Sequence, residues 1–380
     1  MIFLGRKKTS TEIVNGIQYY FQYVELPRDA NGKRVRKKIR AKSVDELNKK
    51  VYDFIELKKL GKKDTSNQYL STFMHKWLFE VKFLNLKASS KEKYLGIYNK
   101  YIKDSSFGKE KLENLNAIKV QQFYSSLNVS DSLIRNIHKL IKPCLQYAFA
   151  NSLILKDYTP VIQLPPKQER SITRLEVFTI EEQKAFLLAI KGHKLESLFY
   201  TLLTTGIRLG ECLALEWNKY DGKILYIDKS VRRVLDIDTG KYVIDVTVPK
   251  TKGSVRSINL GNKTISMLNA HKKEQNLLKM QLRNQYNDNN LIFCSDTGNY
   301  LDASNVRKQF KKILKDNNIR EIKLHGLRHS FATRLFENNV PTKTISNILG
   351  HSDINITLEI YTHILDKTKE ETTSVIDNIF

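Results

Sequence analysis

Two arginines, two histidines, a lysine and a tyrosine in the carboxyl-terminal half of the chain could act together on a phosphate ester. The six residues are Arg208, Lys252, His325, Arg328, His351 and Tyr361. Each has an ordinary structural explanation when taken alone. An arginine near a glutamate is usually a surface ion pair, a lysine in a turn is solvated, and a tyrosine on an amphipathic helix is half buried. The combination is informative because each residue type supplies one step of a single reaction.

That reaction is the transfer of a phosphodiester to a protein hydroxyl. The transition state carries extra negative charge on the non-bridging oxygens, which two planar guanidinium groups can bind through paired hydrogen bonds. A phenol with a pKa of ~10 is a weak nucleophile, so a histidine must help to remove its proton. The departing 5′-oxygen needs a proton, which a lysine in a turn can deliver. The pattern predicts transesterification through a covalent bond to Tyr361.

The sequence predicts no metal ion and no other cofactor. The region lacks the carboxylate cluster of a two-metal nuclease. His325 and His329 have the spacing of a metal-ligand pair, but no Glu or Cys supports them, and such a pair more often caps or packs a helix. The three cysteines are far apart and fit neither a disulfide framework nor a zinc pattern, so we expect a protein of the reducing cytoplasm.

Four short strings carry a family resemblance. They are TGIRLGE at residues 205–211, HGLRH at 325–329, LGHS at 349–352 and IYTH at 360–363. In this order, within residues 175–365, they resemble the signature blocks of the tyrosine recombinase (phage integrase) family. The resemblance implies a site-specific DNA recombinase that integrates and excises a mobile element, as the integrase of a temperate phage or integrative conjugative element does.

The resemblance also implies a role for each residue of the set. Arg208 and Arg328 would clamp the scissile phosphate, and Tyr361 would be the nucleophile. His325 would act as the general base, and His351 would donate a hydrogen bond to the phosphate.

Two further roles concern the loop of Arg208 and the leaving group. Glu211 would orient the loop that carries Arg208. Lys252 would be the general acid, although the turn PKTKG at 249–253 could also be registered with Lys250 in that place. Lys252 is favoured because the following GSVR at 253–256 resembles the family's turn into the next strand.

Composition and charge point to a polyanionic partner. The chain has 380 residues, of which 41% are hydrophobic and 27% are charged, so it has enough apolar material for two or three folded domains. Its formal net charge is +24, which favours double-stranded DNA. A membrane surface is the alternative, but the sequence has no long apolar run and no lipidation signal, and its first ten residues do not resemble a secretory signal.

The amino-terminal segment predicts a small basic sheet followed by a helix. Two β-rich runs, Gln18 to Leu26 and Arg34 to Ile39, flank a turn signal at 29–32, and a capping box at Ser43 begins a helix that runs to about Leu60. From Lys33 to Lys63 the net charge is +9. Such a segment is either a solvated face or a sheet that lies in a DNA groove. The candidate DNA-binding residues are Lys33, Arg34, Arg36, Lys37, Lys38 and Arg40.

The next regions alternate between helices and a small sheet. Residues 65–158 carry apolar stripes at helical spacing, which predict a helical core, and prolines after Lys156 predict an extended linker. A capping box at Thr179 begins the third region. There, residues 224–260 alternate with period two and predict one small antiparallel sheet within a helical domain.

We therefore predict a multidomain, mainly α protein with small antiparallel β-sheets. Residues 1–63 would form a three-stranded β plus helix arm-binding module, and residues 64–158 a helical core-binding domain. A linker at 159–174 would lead to a mixed α/β tyrosine recombinase catalytic domain at 175–380. These names of the domains, and the third strand of the first, follow from the resemblance.

The resemblance also bears on assembly and partners. It implies a homotetramer on core and arm DNA sites, with accessory DNA-bending or excision proteins. The apolar residues of the tail recur at helical spacing, and they are Val375, Ile376, Ile379 and Phe380. The tail would either fold back on its own domain or dock on the neighbouring protomer.

Three other functions compete with an integrase. A type IB topoisomerase would use the same nucleophile chemistry, but a second basic DNA-binding module has no purpose in it. A DNA-binding regulator would explain the helix-turn-helix-like pattern from Pro341 to Thr357, yet it would leave Arg208, Lys252 and Tyr361 without a role. A chromosome-dimer resolvase would normally lack the first module.

Overall fold

The computed structural model describes residues 10–14, 16–26, 35–59, 68–166, 177–248 and 255–350. The chain divides into two compact units, residues 1–168 and 169–380. No helix within the described ranges is long and apolar enough to cross a membrane.

The first unit begins with a three-stranded antiparallel sheet. Its strands are β1 (Ser10–Val14), β2 (Ile17–Leu26) and β3 (Val35–Ala41), in the order β1-β2-β3, followed by helix α1 (Val44–Lys59). Strand alternation sends Val24 to the α1 side, where it packs in a small core with Leu47 and Val51. The two β-rich runs and the helix are confirmed, with boundaries that differ by at most two residues.

The start of α1 differs in detail from the predicted capping box. The Ser43 hydroxyl accepts a hydrogen bond from the Glu46 N–H, as predicted. The Glu46 carboxylate accepts from the N–H of Lys42 instead of that of Ser43. Ser43 is thus the N-cap as predicted, and Glu46 binds the N–H of the residue before it.

The rest of the first unit is helical, as the apolar stripes predict. Its helices are α2 (Leu70–Glu80), α3 (Ala88–Ile97) with a π-helical turn at Tyr98–Ile102, α4 (Ala117–Ser126) and α5 (Asp131–Ala150). The predicted stripe on α2 is entirely buried, and so is the one on α5. These apolar faces form the core of the unit.

The described part of the predicted linker is held against this helical region. Thr159–Val161 forms a short 3-10 helix. The Gln121 side chain exchanges two hydrogen bonds with the main chain of Gln163, and Arg135 donates to the carbonyls of Pro165 and Pro166. The chain up to residue 166 therefore belongs with α4 and α5, while 167–174 lie outside the described residues.

The second unit contains six longer helices, one short helix and four strands among its described residues. The elements, in chain order, are α6 (Ile180–Ala189), α7 (Glu196–Thr205), α8 (Leu209–Cys212), β4 (Ile224–Ile227), β5 (Ser230–Leu235), β6 (Tyr242–Thr247), β7 (Arg256–Asn259), α9 (Asn262–Leu282), α10 (Ala303–Asp316), α11 (Gly326–Glu337) and α12 (Thr342–Leu349). The capping box at Thr179 is confirmed, because Thr179 and Glu182 exchange both hydrogen bonds at the start of α6.

The prediction of a single sheet over 224–260 is wrong. Strand β4 pairs with β7, and β5 pairs with β6, so the described residues form two separate two-stranded antiparallel sheets. The period-two pattern would be the same for one sheet and for two, because it indicates which residues form strands and not which strands pair. A turn at residues 238–240 connects β5 to β6, with Gly240 at φ +67°.

Helix α7 lies at the centre of this unit and positions the chemistry. Leu198, Phe199, Leu202 and Leu203 on α7 are buried in the main apolar core. The helix contacts α8, α9 and α11. Since α7 ends at the first signature string and α11 begins at the second, the packing of these two helices brings the two strings together.

Candidate active site

The end of α7 places Arg208 at the edge of the core. Gly206 ends the helix with φ +63°, a left-handed conformation that residues with a side chain rarely adopt. A Cβ on Gly206 would lie 2.4 Å from a ring carbon of Phe331 on α11, so the close packing also requires glycine. Arg208 follows in an extended conformation and begins α8, with 39% of its side chain exposed.

The carboxylate of Glu211 binds two arginines. Its Oε1 accepts from Nη1 of Arg208 at 2.9 Å, and its Oε2 accepts from the Arg208 main-chain N–H at 3.0 Å. The same Oε2 accepts from Nη2 of Arg256 at 2.8 Å. Burial acts to raise the pKa of Glu211, but the hydrogen bonds and charges of Arg256 and Arg208 outweigh it and lower that pKa. The carboxylate is therefore ionised, and it binds both the side chain and the main chain of Arg208.

Arg328 is almost fully buried and ties two signature strings together. It lies on α11, and its residue is 3% exposed. Its Nη1 donates to the carbonyl of Gly206 at 2.8 Å, and its Nη2 donates to the carbonyl of Leu349 at 2.8 Å. The guanidinium thus joins the end of α7 to the end of α12.

Three arginines bind the last carbonyls of α12. Arg256 donates to Ile348, Arg328 to Leu349, and Arg208, at a longer 3.4 Å, to Gly350. These carbonyls have no partner within the helix and carry the negative end of its dipole, so cations stabilise them. The helix end that leads into His351 is held from three sides.

His325 immediately precedes α11 and is predominantly in the neutral form at neutral pH. Burial lowers its pKa, and the nearby charges of His329, Arg328 and Arg208 lower it further, to about 4. The rings of His325 and His329 meet edge to face, with centroids 4.8 Å apart. A neutral imidazole has a free lone pair and can accept a proton.

A cavity of about 220 Å³ collects these groups. Its basic lining residues are Arg208, Arg307, His325 and Arg328. His325 and Arg328 are three residues apart at the start of α11, and both line this cavity. The cavity presents cationic donors beside a neutral base, an arrangement suited to a phosphate group.

Sequence reasoning missed two arginines of this region. Arg256 was noted only as the end of a turn, because it belongs to none of the four signature strings. Arg307 is exposed on α10, among Lys308, Lys311 and Lys312. Nothing in the pattern separates a cation that lines a cavity from its solvated neighbours.

Other members of the predicted set lie outside the described residues. They are Lys250, Lys252, His351 and Tyr361. The structure thus brings together Arg208, Glu211, His325 and Arg328.

The amino-terminal candidates divide between two faces of the sheet. Arg36, Lys38 and Arg40 alternate along β3 and are exposed. Lys38 lies 3.9 Å from the ring centre of Phe21, and Arg40 lies 5.7 Å from that of Tyr19, so both lie beside aromatic side chains of β2.

Lys37 differs from its neighbours on β3. Its ammonium lies over the ring of Phe54 on α1, on the face that the helix covers, because neighbouring residues of a strand point to opposite sides. Lys37 is therefore not part of the open basic face. Lys33 and Arg34 lie outside the described residues.

The sequence matches two family models. The phage integrase family matches residues 176–368, about half of the chain. The phage integrase N-terminal SAM-like domain matches residues 69–128. The chain belongs to the phage integrase family of tyrosine recombinases, and it is a site-specific recombinase.

Individual relatives agree with this assignment. A XerC-like tyrosine recombinase of Caldanaerobacter subterraneus is 34% identical, over 98% of this chain and 99% of its own length. The ICEBs1 integrase of Bacillus subtilis is 27% identical, over 74% of this chain and 76% of its own length.

Solved structures share the fold. One is the Tn1549 transposon integrase in complex with a circular intermediate DNA. It aligns over 81% of this chain and 100% of its own, with a TM-score of 0.66 at 20% identity. A lambda integrase dimer bound to a COC′ core site covers 94% of this chain and 96% of that chain with a TM-score of 0.55 at 14% identity. The predicted fold class, mainly helical with small antiparallel sheets, is confirmed.

Proposed function

We propose that this chain is the integrase of a mobile element and that Tyr361 is its nucleophile. The phenolic oxygen of Tyr361 attacks the scissile phosphorus of DNA and forms a 3′-phosphotyrosyl bond. The bond from phosphorus to the 5′-oxygen breaks, and that oxygen takes a proton from Lys252. The free 5′-hydroxyl of a second strand then reverses these steps and releases the tyrosine.

The observation that carries this proposal is the cavity that Arg208, His325 and Arg328 line together. Arg208 keeps 39% of its side chain exposed after binding Glu211, so it has donors left for a phosphate. His325 is neutral at pH 7 because its pKa is lowered, so its ring has a lone pair to accept the phenolic proton. His351 follows the helix end that the three arginines hold, and it would donate to a phosphate oxygen.

The amino-terminal sheet favours an integrase over the alternatives. Its open face combines Arg36, Lys38 and Arg40 with aromatic side chains, which suits contact with a DNA groove. A second DNA-binding surface allows one protomer to bridge an arm site and a core site, which a topoisomerase or a chromosome-dimer resolvase does not need. Residues 1–63 would therefore read arm DNA, residues 64–158 would bind core DNA, and residues 175–380 would carry out catalysis.

The assembly would be a homotetramer on two duplexes, acting in the cytoplasm of a bacterial host with accessory DNA-bending or excision proteins. The Tn1549 and lambda integrases, which share the fold, have been solved on DNA.

Capture of the covalent intermediate tests the proposal. The full chain is incubated in EDTA with nicked duplexes of random sequence, and DNA strands that remain bound after denaturation are sequenced. We expect one enriched core sequence, attached through its 3′-phosphate to Tyr361. Tyr361→Phe should bind the same duplex with unchanged affinity and form no adduct, since only the attacking oxygen is lost. An adduct of normal yield from this variant would refute the assignment of the nucleophile.

A further inference from the structure

Arg256 occupies a fixed position between the two halves of the active site. It is the first residue of β7 and pairs with Ile227 of β4. Ile227 and its neighbour on the same strand, Leu225, are buried in the main core. The backbone of Arg256 is therefore anchored independently of Arg208 and of α12.

The guanidinium of Arg256 is committed to protein groups. Its Nη2 donates to Oε2 of Glu211 at 2.8 Å, and its Nε donates to the carbonyl of Ile348 at 2.7 Å. It also lies flat against Gly350, where a Cβ would approach its Nη1 and Cδ to 3.1 Å. Only 6% of the side chain is exposed. Arg208 and Arg328 line the cavity, and among the described residues Arg256 does not, so Arg256 acts on the reaction only through its neighbours.

One of those neighbours is Arg208, which Arg256 reaches through Glu211. Both arginines bind the same carboxylate, and Arg256 forms the more buried of the two ion pairs. If Arg256 were absent, Arg208 would be the only counter-ion of a buried charge and would be drawn further onto it. The presence of Arg256 therefore leaves an edge of Arg208 available for the substrate.

The other neighbour is the carboxyl end of α12. Arg256 binds the carbonyl of Ile348 and packs against Gly350, which has φ +67°. This contact sets the direction in which the chain leaves the helix toward His351. Because Arg256 follows Lys252 by four residues, β7 also fixes one end of the segment that carries the proposed general acid.

We propose that Arg256 is a positioning residue for strand cleavage, which orients Arg208 through Glu211 and fixes the end of α12. The inference rests on the proposed function. It adds to that function a residue that touches neither the DNA nor the nucleophile and yet sets the rate of adduct formation. A lysine cannot replace it, because one ammonium cannot satisfy both Glu211 and Ile348 in the same geometry.

The test compares Arg256→Lys with the wild-type chain on two substrates. The first is the core duplex recovered by adduct sequencing, and the second is the same duplex with a methylphosphonate at the scissile position. The methyl group removes the negative charge that the arginines bind, so the reaction depends less on the clamp. Arg232→Lys is the matched control, since Arg232 also donates to a carboxylate, that of Asp245, but is 40% exposed.

We expect Arg256→Lys to bind the core duplex with normal affinity and to form adduct about 30-fold more slowly on the phosphodiester. This is less than the ~10²–10³-fold cost of losing a preorganised donor outright, because Arg208 itself is retained. On the methylphosphonate the deficit should shrink to about 3-fold or less, because the charge that Arg208 stabilises is gone. In Glu211→Gln the further change Arg256→Lys should cost less than it does in the wild-type chain, because the part of its effect that reaches Arg208 through the carboxylate is already lost. Arg232→Lys should cleave at the wild-type rate.

Other outcomes would overturn the inference. An equal deficit on both substrates would mean that Arg256 does not act through the phosphate clamp, and so would a wild-type rate for Arg256→Lys. If Arg256→Lys fails to fold, Glu211→Gln combined with Arg256→Gln removes both buried charges, and its two rates are compared in the same way. A wild-type chain that forms no adduct would refute the proposed function itself and this inference with it, whereas normal wild-type adduct with any of the results above refutes only the role of Arg256.

Discussion

Arg256 and Glu211 form an ion pair that is almost completely removed from solvent. Their charged atoms are 2.8 Å apart, and 6% and 5% of their side chains are exposed. Removing one partner of such a pair leaves an uncompensated charge in the interior, which lowers the free energy of unfolding by ~4 kcal/mol. The pair therefore contributes to the folding of the catalytic domain as well as to the orientation of Arg208.

Glu211→Gln should lower the stability of the chain in a pH-dependent way. The pKa of Glu211 is lowered in the folded protein, so its carboxylate stabilises the fold above the unfolded pKa of ~4.3 and loses this effect as the pH falls through the folded value. Thermal unfolding at a series of pH values should show a large difference between wild type and variant at pH 7, and a smaller one below pH ~4. A difference that stays constant down to pH ~3 would show that the charge of Glu211 is not what stabilises the fold.

Arg208→Lys and Arg328→Lys should separate catalysis from stability. Both should reduce the rate of adduct formation by at least ~10²-fold, because a point charge cannot reproduce a bidentate fork. Only Arg328→Lys should also destabilise the chain, by about 2 kcal/mol, since one ammonium cannot span the carbonyls of Gly206 and Leu349. Arg233→Lys, which changes an exposed pair with Asp302, is the control for both measurements. Near-normal cleavage by the Arg208 and Arg328 variants would leave these arginines with a structural role alone.

His325 should titrate far below an ordinary histidine in the DNA-free protein. Burial and the neighbouring cations lower its pKa to about 4. Its neutral form thus stabilises the fold fully above the unfolded pKa of ~6.5, and this stabilisation falls as the pH drops toward the folded value. NMR titration of the imidazole should give a midpoint of about 4. His329→Gln should raise this midpoint, because it removes a neighbouring positive charge. A midpoint near ~6.5 would contradict a neutral, buried base.

The open face of the amino-terminal sheet should bind arm DNA. Arm duplexes can be selected from random DNA with the full chain, in the presence of excess core duplex as a competitor. The double variant Lys38→Ala, Arg40→Ala should bind these arm duplexes more weakly than the wild-type chain does. The slope of the logarithm of the binding constant against the logarithm of the salt concentration should become shallower by the amount expected for about two phosphate contacts. Lys37→Ala is the matched control, because it removes a lysine from the same strand on the face that α1 covers.

Removal of residues 1–63 should abolish arm binding and leave cleavage of a short core duplex. If the truncated chain binds arm DNA like the full one, residues 1–63 are not the arm reader.

Deletion of residues 375–380 should impair assembly more than DNA binding. The apolar tail residues Val375, Ile376, Ile379 and Phe380 would dock on a neighbouring protomer, so synapsis and strand exchange should fall while binding of a single core half-site persists. Mobility shifts of half-site and paired full-site complexes distinguish the two steps. A large drop in the melting temperature of the monomer would instead place the tail on its own domain.

The sequence predicts the convergence of Arg208, Glu211, His325 and Arg328 because these residues lie in strings whose order and spacing are specific. It predicts individual helices and strands for a similar reason, since an apolar stripe reports directly on the face that is buried. It does not predict that β4 pairs with β7 across residues 228–255, because the pairing of strands depends on contacts distant in sequence. Arg256 was missed for this reason. Its role depends on contacts with α8 and α12, and both helices are distant from Arg256 in the sequence.

The pairing of β4 with β7 also determines where the chain tolerates insertions. Between these strands lies the β5–β6 ribbon, whose turn at residues 238–240 is exposed. Added residues at an exposed turn of this kind disturb little buried structure. A reporter peptide, or a recognition segment acquired during evolution, could enter there while β4 and β7 keep Arg256 in register with Glu211. The tip of the ribbon is thus the position at which this enzyme can gain length without loss of its catalytic geometry.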